Sequence, residues 1–205
     1  MKKAILITIF IFLFFPKPVL AVDQNNQQEA YIRLNEGWNL YSQSLVTSSK
    51  PLMASDLIKS MNAQGGLVST VSRWLDGKYE DYVLRTNGEV YGTNFPIELG
   101  KSYFVRNYKV FNYHIAGDVV NTWKVQLQPG YNFVGVPSAK EGRTISTFAN
   151  AIQSVGASSP EISRFFSGLF QTYAVKNGQG YGDDFKFSRF GAYIVKVDNN
   201  ITLDF

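Results

Sequence analysis

Two aromatic pairs are the side chains best suited to hold a ligand. Trp74 and Tyr79 flank Asp76-Gly77, and Phe165 and Phe170 flank Ser167-Gly168, with Arg73 and Arg164 one residue ahead of each pair. On an exposed face such rings form an apolar shelf, flanked in the first pair by Ser72 and Asp81 and suited to stack on a sugar or a partner surface. On a buried face they are core. Burial is the expectation, because a chain with no cysteine must be stabilised from inside. Arg73 and Arg164 are the charges common to both stretches. Their expected use is cross-strand pairing, Arg73 against Glu80, with ligand contact second.

Catalytic chemistry finds little to work with. The chain has one histidine, His114, and no thiol, so a histidine-based nucleophile set would have to rest on that one residue. His114 sits in 112-NYHIAG-117 and reads as a strand surface residue; no G-x-S-x-G elbow is present. The run 178-GQGYG-182 lacks the spacing and following helix of a phosphate loop and reads as a turn. Asp183-Asp184 and Glu80-Asp81 are adjacent carboxylates, whereas a calcium loop staggers its oxygens over several positions, so solvated charge is favoured over a weak calcium site near Asp183. The expectation is a chain without catalytic residues, metal or cofactor; a glycoside-active enzyme is the least favoured alternative.

The elements that would position the aromatic pairs follow from local patterns. Asp76-Gly77 between alternating residues is a two-residue hairpin turn. It sets Trp74 opposite Tyr79, Arg73 opposite Glu80 and Val71 opposite Tyr82; the second hairpin sets Phe165 opposite Phe170. Upstream, Met53, Leu57, Ile58 and Met61, and again Ile145, Phe148, Ile152 and Val155, are spaced for one face of a helix. Further upstream, 36-EGWNL-40 and 129-PGYNF-133 read as hairpin corners in which Gly supplies a positive φ and the aromatic residue plugs the corner, with Asn39 on the opposite face, where its amide can close a local backbone bond. Turns at Asn87-Gly88 and Asn177-Gly178 lead to final strands around 103-YFV-105 and 193-YIV-195.

These blocks recur in order. The offset between matches stays between 93 residues, from Gly37 to Gly130, and 90 residues, from Tyr103 to Tyr193. A duplication explains them. The expected fold is α+β, predominantly antiparallel β, as two tandem copies of a strand-hairpin-helix-hairpin-strand unit over residues 31–118 and 119–205. Only 118-DVVNTWK-124 joins them, without a Gly/Ser run, so the copies are expected to pack together.

The amino terminus reads as an address. Lys2-Lys3, an apolar run from Ala4 to Phe15 and Val19-Leu20-Ala21 have the form of a secretory signal peptide over residues 1–21. Residues 22–30 read as a polar leader. The formal charge of +4 depends on that segment: without Lys2, Lys3 and Lys17 the remaining 17 basic and 16 acidic residues leave +1. No basic block interleaved with aromatics suggests nucleic acid. The expected location is secreted, periplasmic or at the cell surface, with membrane contact only through an uncleaved signal segment.

The GWNL corner, the helix after it, the D-G-x-Y hairpin and the strand 99-LGKSYFV-105, matched more loosely by 189-RFGAYIV-195, resemble the "GWNL" repeat modules of bacterial and archaeal secreted and surface proteins. The resemblance covers nearly all of the chain beyond residue 30. It implies display or adhesion, with extracellular proteins or a cell-surface glycan as partner. The expected function is a non-catalytic surface module, with an exported carbohydrate-binding module as the alternative.

Overall fold

The structure is a computed structural model that describes residues 27–47, 50–119, 124–136, 142–166, 168–188 and 190–204. The signal segment, Trp123, Ser167 and Arg189 lie outside the described residues. The first half contains β1 (Gln27–Leu34), β2 (Gly37–Ser42), β3 (Leu45–Val46), β4 (Leu52–Met53), α1 (Ala54–Ala63), β5 (Val68–Leu75), β6 (Lys78–Leu84), β7 (Val90–Gly92), β8 (Pro96–Ile97), β9 (Ser102–Asn107) and β10 (Phe111–Val119). The second contains β11 (Lys124–Leu127), β12 (Gly130–Gly135), α2 (Ile145–Ser154), β13 (Glu161–Phe166), β14 (Leu169–Lys176), β15 (Gln179–Gly182), β16 (Ala192–Val197) and β17 (Ile201–Asp204).

The molecule is β-rich and antiparallel, with two ten-residue helices among the described residues. Two five-stranded sheets carry the architecture, in the orders β2-β9-β5-β6-β7 and β12-β16-β13-β14-β15. In each, the late strand enters between the corner strand and the hairpin. Smaller sheets flank them: β1-β10-β3, β11-β17 and β4-β8.

Each five-stranded sheet turns one face to its helix. Leu57, Ile58 and Met61 of α1 are fully buried among Tyr41, Val71, Tyr103 and Val105, and β1 and β10 close this core with Leu34, Tyr113 and Ile115. Phe148 and Ile152 of α2 pack among Val134, Ile162, Tyr193 and Val195, closed by Leu127, Ile201 and Leu203. Each such aliphatic side chain contributes about 1.5–3 kcal/mol by leaving water. Val155, expected on the apolar stripe, instead caps α2 at its carboxyl end and is exposed.

Both helices begin on the same device. The Ala54 N–H donates to the Phe95 carbonyl and the Ile145 N–H to the Phe185 carbonyl, each at 2.9 Å. One residue on, the Ser55 N–H donates to Asn94 Oδ1 (3.0 Å) and the Ser146 N–H to Asp184 Oδ1 (2.9 Å). Donors that a first helical turn leaves open are thereby satisfied from the segments that follow β7 and β15. Asp184, read from sequence as solvated charge, therefore caps a helix.

The corners close through the asparagine amide, as its place on the face opposite the aromatic residue suggests, and differ from expectation only in that the aromatic residue is not a plug. Gly37 and Gly130 take positive φ, 93° and 96°. Asn39 is 8% exposed, accepts from the Asn35 N–H at 2.8 Å and donates to the Asn35 carbonyl at 2.9 Å. Asn132 makes the same two bonds to Gln128, at 2.9 and 2.8 Å. Trp38, at 41% exposure, and Tyr131 point to the other face of their sheets. The polar leader is also shorter than expected: Gln27 to Ala30 already pair with Ile115 to Asp118, and Ala30, with Ile32 and Leu34 beyond it, faces the first core.

Candidate functional site

Strand alternation places Trp38, Leu40, Ser72, Trp74, Tyr79, Asp81 and Phe104 on the face of the first sheet away from α1. On the second sheet the same rule places Tyr131, Phe133, Phe165, Phe170 and Ile194 away from α2. These two faces meet. Phe133 is the most buried of the rings, at 9% exposure; it lies 6.0 Å from Trp74 at an interplanar angle of 26° and 5.7 Å from Phe104. Phe104 lies 6.3 Å from Phe165. Ring contacts of this kind add to the area they bury.

The seam is tight at one end. Ser42 Oγ lies 3.0 Å from both the Phe190 and Gly191 carbonyls, the Gly135 N–H donates to the Gly100 carbonyl at 2.8 Å, and Phe190 is buried in the first core. Gly135 permits the approach: a Cβ there would stand 2.7 Å from Ser42 Cβ and 3.0 Å from the Lys101 carbonyl oxygen.

Two cavities open along the seam. One, of about 440 Å³, is lined by Trp38, Tyr79, Phe104, Phe165 and Phe170, with Ser72 and Asp81 as its polar groups. The other, of about 520 Å³, lies beside Trp74 and Phe133 and is edged by Arg73, Glu98 and Lys101. The first is the candidate site, since rings from both sheets converge on a single carboxylate. Partial burial pushes the Tyr79 phenol above its ordinary range.

The hairpin registers expected from sequence are present: Trp74 faces Tyr79, Arg73 faces Glu80, Val71 faces Tyr82 and Phe165 faces Phe170. The outcome for the rings is divided. Trp74 and Phe165 are half-buried in the seam, whereas Tyr79 and Phe170 remain 52% and 55% exposed. The arginines do not join the shelf. Arg73 bonds Glu80 at 2.9 and 2.7 Å and lies over the Phe95 ring, touching only the second cavity. Arg164 bonds Gln171 at 2.7 Å and lies over Phe185.

Phe104 and Phe133 were not singled out by sequence reasoning. The available signal was that 103-YFV-105 and 133-FVGV-136 are apolar at successive positions, which puts apolar side chains on both faces of the strand. His114 stands on β10 opposite Tyr31, with Glu29 at 3.4 Å from its Nε2. Among the described residues no group of three or more His, Cys, Asp or Glu could hold a metal ion, and no helix is long and apolar enough to cross a membrane. Comparison with protein-family models, curated proteins and solved structures finds no match to the chain.

Proposed function

We propose that the protein is an exported, non-catalytic binding module, built of two copies of one unit, which contacts an extracellular protein or a cell surface through the groove at its seam. The observation that carries this reading is the groove itself. Tyr79 and Phe170, one from each sheet, stay more than half exposed beside Asp81 although core positions for aromatics lie close by. Rings left in water at the mouth of a concave apolar site are the usual anchors of recognition.

Duplication is supported below the level of sequence. Phe95 stacks on Tyr103 at 6.1 Å and 10°, and Phe185 on Tyr193 at 6.1 Å and 8°. The Tyr103 hydroxyl accepts from the Glu98 N–H at 2.7 Å, and that of Tyr193 from the Ser188 N–H at 2.8 Å. Such matched detail is what one inherited unit would leave, and it accords with the resemblance to GWNL surface modules. Export rests on Lys2-Lys3, the apolar run and Val19-Leu20-Ala21.

Two experiments test the proposal. Mass spectrometry of the protein recovered outside the cytoplasm should find Val22 first; recovery only as intact, cytoplasmic Met1 chain would remove the export half. Binding of the mature chain to intact cells and to extracellular proteins should be lost in Phe170→Ala with the unfolding midpoint nearly unchanged. Retained binding would move the contact surface elsewhere.

A further inference from the structure

We infer that the groove receives a trimethylammonium group, the cationic head of a choline-type ligand; this rests on the groove being the binding site. Three features select that chemistry over a sugar or a simple hydrocarbon.

The rings form a cage and not a platform. Tyr79 and Phe104 are inclined at 61°, Phe104 and Phe165 at 83°, and Phe165 and Phe170 at 60°, with centroids 6.0, 6.3 and 5.1 Å apart. A sugar stacks best on a flat ring, whereas mutually inclined rings turn several π faces toward one rounded group. Quaternary ammonium recognition uses that arrangement.

The charge is complementary. Asp81 is the one ionisable carboxylate lining the groove and has no ion-pair or hydrogen-bond partner for its side chain among the described residues. Arg106, on the same face, lies over Trp38 at 5.7 Å and over Tyr108 at 5.3 Å. Elsewhere the protein already sets cations on rings, Arg73 on Phe95 and Arg164 on Phe185. Among the described residues none lies on Tyr79, Phe104, Phe165 or Phe170.

Hydrogen-bonding capacity is low. Besides Asp81, the groove offers the hydroxyls of Ser72 and Tyr79 and the indole N–H of Trp38. A primary ammonium brings three donors and a sugar several hydroxyls, all of which need partners once desolvated. A trimethylammonium group brings no donor, so an apolar cage with one carboxylate satisfies it.

The test is a titration of the mature chain with choline, followed by NMR, beside the neutral analogue in which carbon replaces nitrogen. Choline is expected to saturate, with shifts centred on Tyr79, Asp81, Phe104, Phe165 and Phe170. The analogue should bind about ten-fold more weakly, and Asp81→Asn should weaken choline by about as much. Asp81 is exposed and the change is isosteric, so the thermal midpoint of the variant should not move. Sedimentation with phosphatidylcholine vesicles separates sources: choline-competed binding assigns the group to a lipid surface, and choline binding without vesicle binding assigns it to a soluble or polymer-linked ligand. Equal affinity for the neutral analogue, indifference to Asp81→Asn, or no saturation overturns the inference. If cells still bind through Phe170 in that case, the contact-module reading survives and only the ligand class is wrong.

Discussion

The indole of Trp74 and the ring of Phe133 stack at 6.0 Å across the seam, each carried by a sheet whose opposite face is committed to its own helix. Trp74 also meets the edge of Tyr79 at 4.8 Å. The rings that join the two sheets are thus continuous with those that line the groove, and the seam and the proposed contact surface form one aromatic cluster.

Removing either partner should therefore destabilise the whole molecule. Phe133→Ala is expected to cost about 3–5 kcal/mol, and Trp74→Ala somewhat less, about 2–3 kcal/mol, because Trp74 is only half-buried. A double-mutant cycle in urea should return a coupling of about 0.5–1.5 kcal/mol. Strict additivity would mean that the stack contributes nothing of its own.

Gly135→Ala tests the tight end of the seam. The added methyl must displace either the Ser42 side chain or the Lys101 carbonyl, at a cost of about 1–3 kcal/mol. Differential scanning calorimetry should show a lower midpoint. An unchanged midpoint would mean that the sheets are not held at that distance.

The asparagine corners carry their own prediction. Asn39→Ala leaves the Asn35 N–H without its partner and the Asn35 carbonyl with only the longer bond from Asn107 Nδ2 at 3.3 Å, and Asn132→Ala removes the bonds to the Gln128 N–H and carbonyl. Each should cost about 1–3 kcal/mol, with Asn39 the more expensive because it is the more buried. Trp38→Ala should cost less than Asn39→Ala, the reverse of what an aromatic plug requires.

Alkaline unfolding should follow the buried phenols. Burial pushes Tyr41, Tyr103 and Tyr113 above the ordinary tyrosine range; nearby Tyr113 and Tyr103 add to the shift at Tyr41. A raised folded pKa means that their contribution is fully present below the unfolded value of about 10 and is lost as pH rises through the folded values. The thermal midpoint should hold up to that pH and then fall, with phenolate absorbance of these residues rising only on unfolding. Ionisation of all tyrosines at the ordinary pH without loss of structure would contradict it.

The hairpins were legible in the sequence because they are local. Asp76-Gly77 fixes which residue faces which within a few positions, so Trp74 against Tyr79 and Arg73 against Glu80 could be written down from the turn alone. The insertion of β9 between β2 and β5 was not legible, since non-local burial decides sheet order. The same limit hid the seam. Trp38 and Phe133 sit in equally apolar strands, and only the packing of one sheet on the other makes Phe133 buried and leaves Trp38 at the groove. Arg73 and Arg164 stand out in the sequence as the charges common to both stretches, and the expected cross-strand pairing is what Arg73 makes with Glu80; both stay off the shelf because adjacent strand residues point to opposite faces.

The central claim is that both sheets build one contact surface, and the most direct measurement is the affinity of the mature chain for intact cells in Tyr79→Ala, Phe170→Ala and the double variant, with unfolding followed in parallel. The account predicts that each single change weakens binding by about ten-fold or more and that the double change costs less than the product of the two. All three should stay folded, because these rings are more than half exposed. Binding that survives in the double variant, or a loss that merely tracks unfolding, would contradict it.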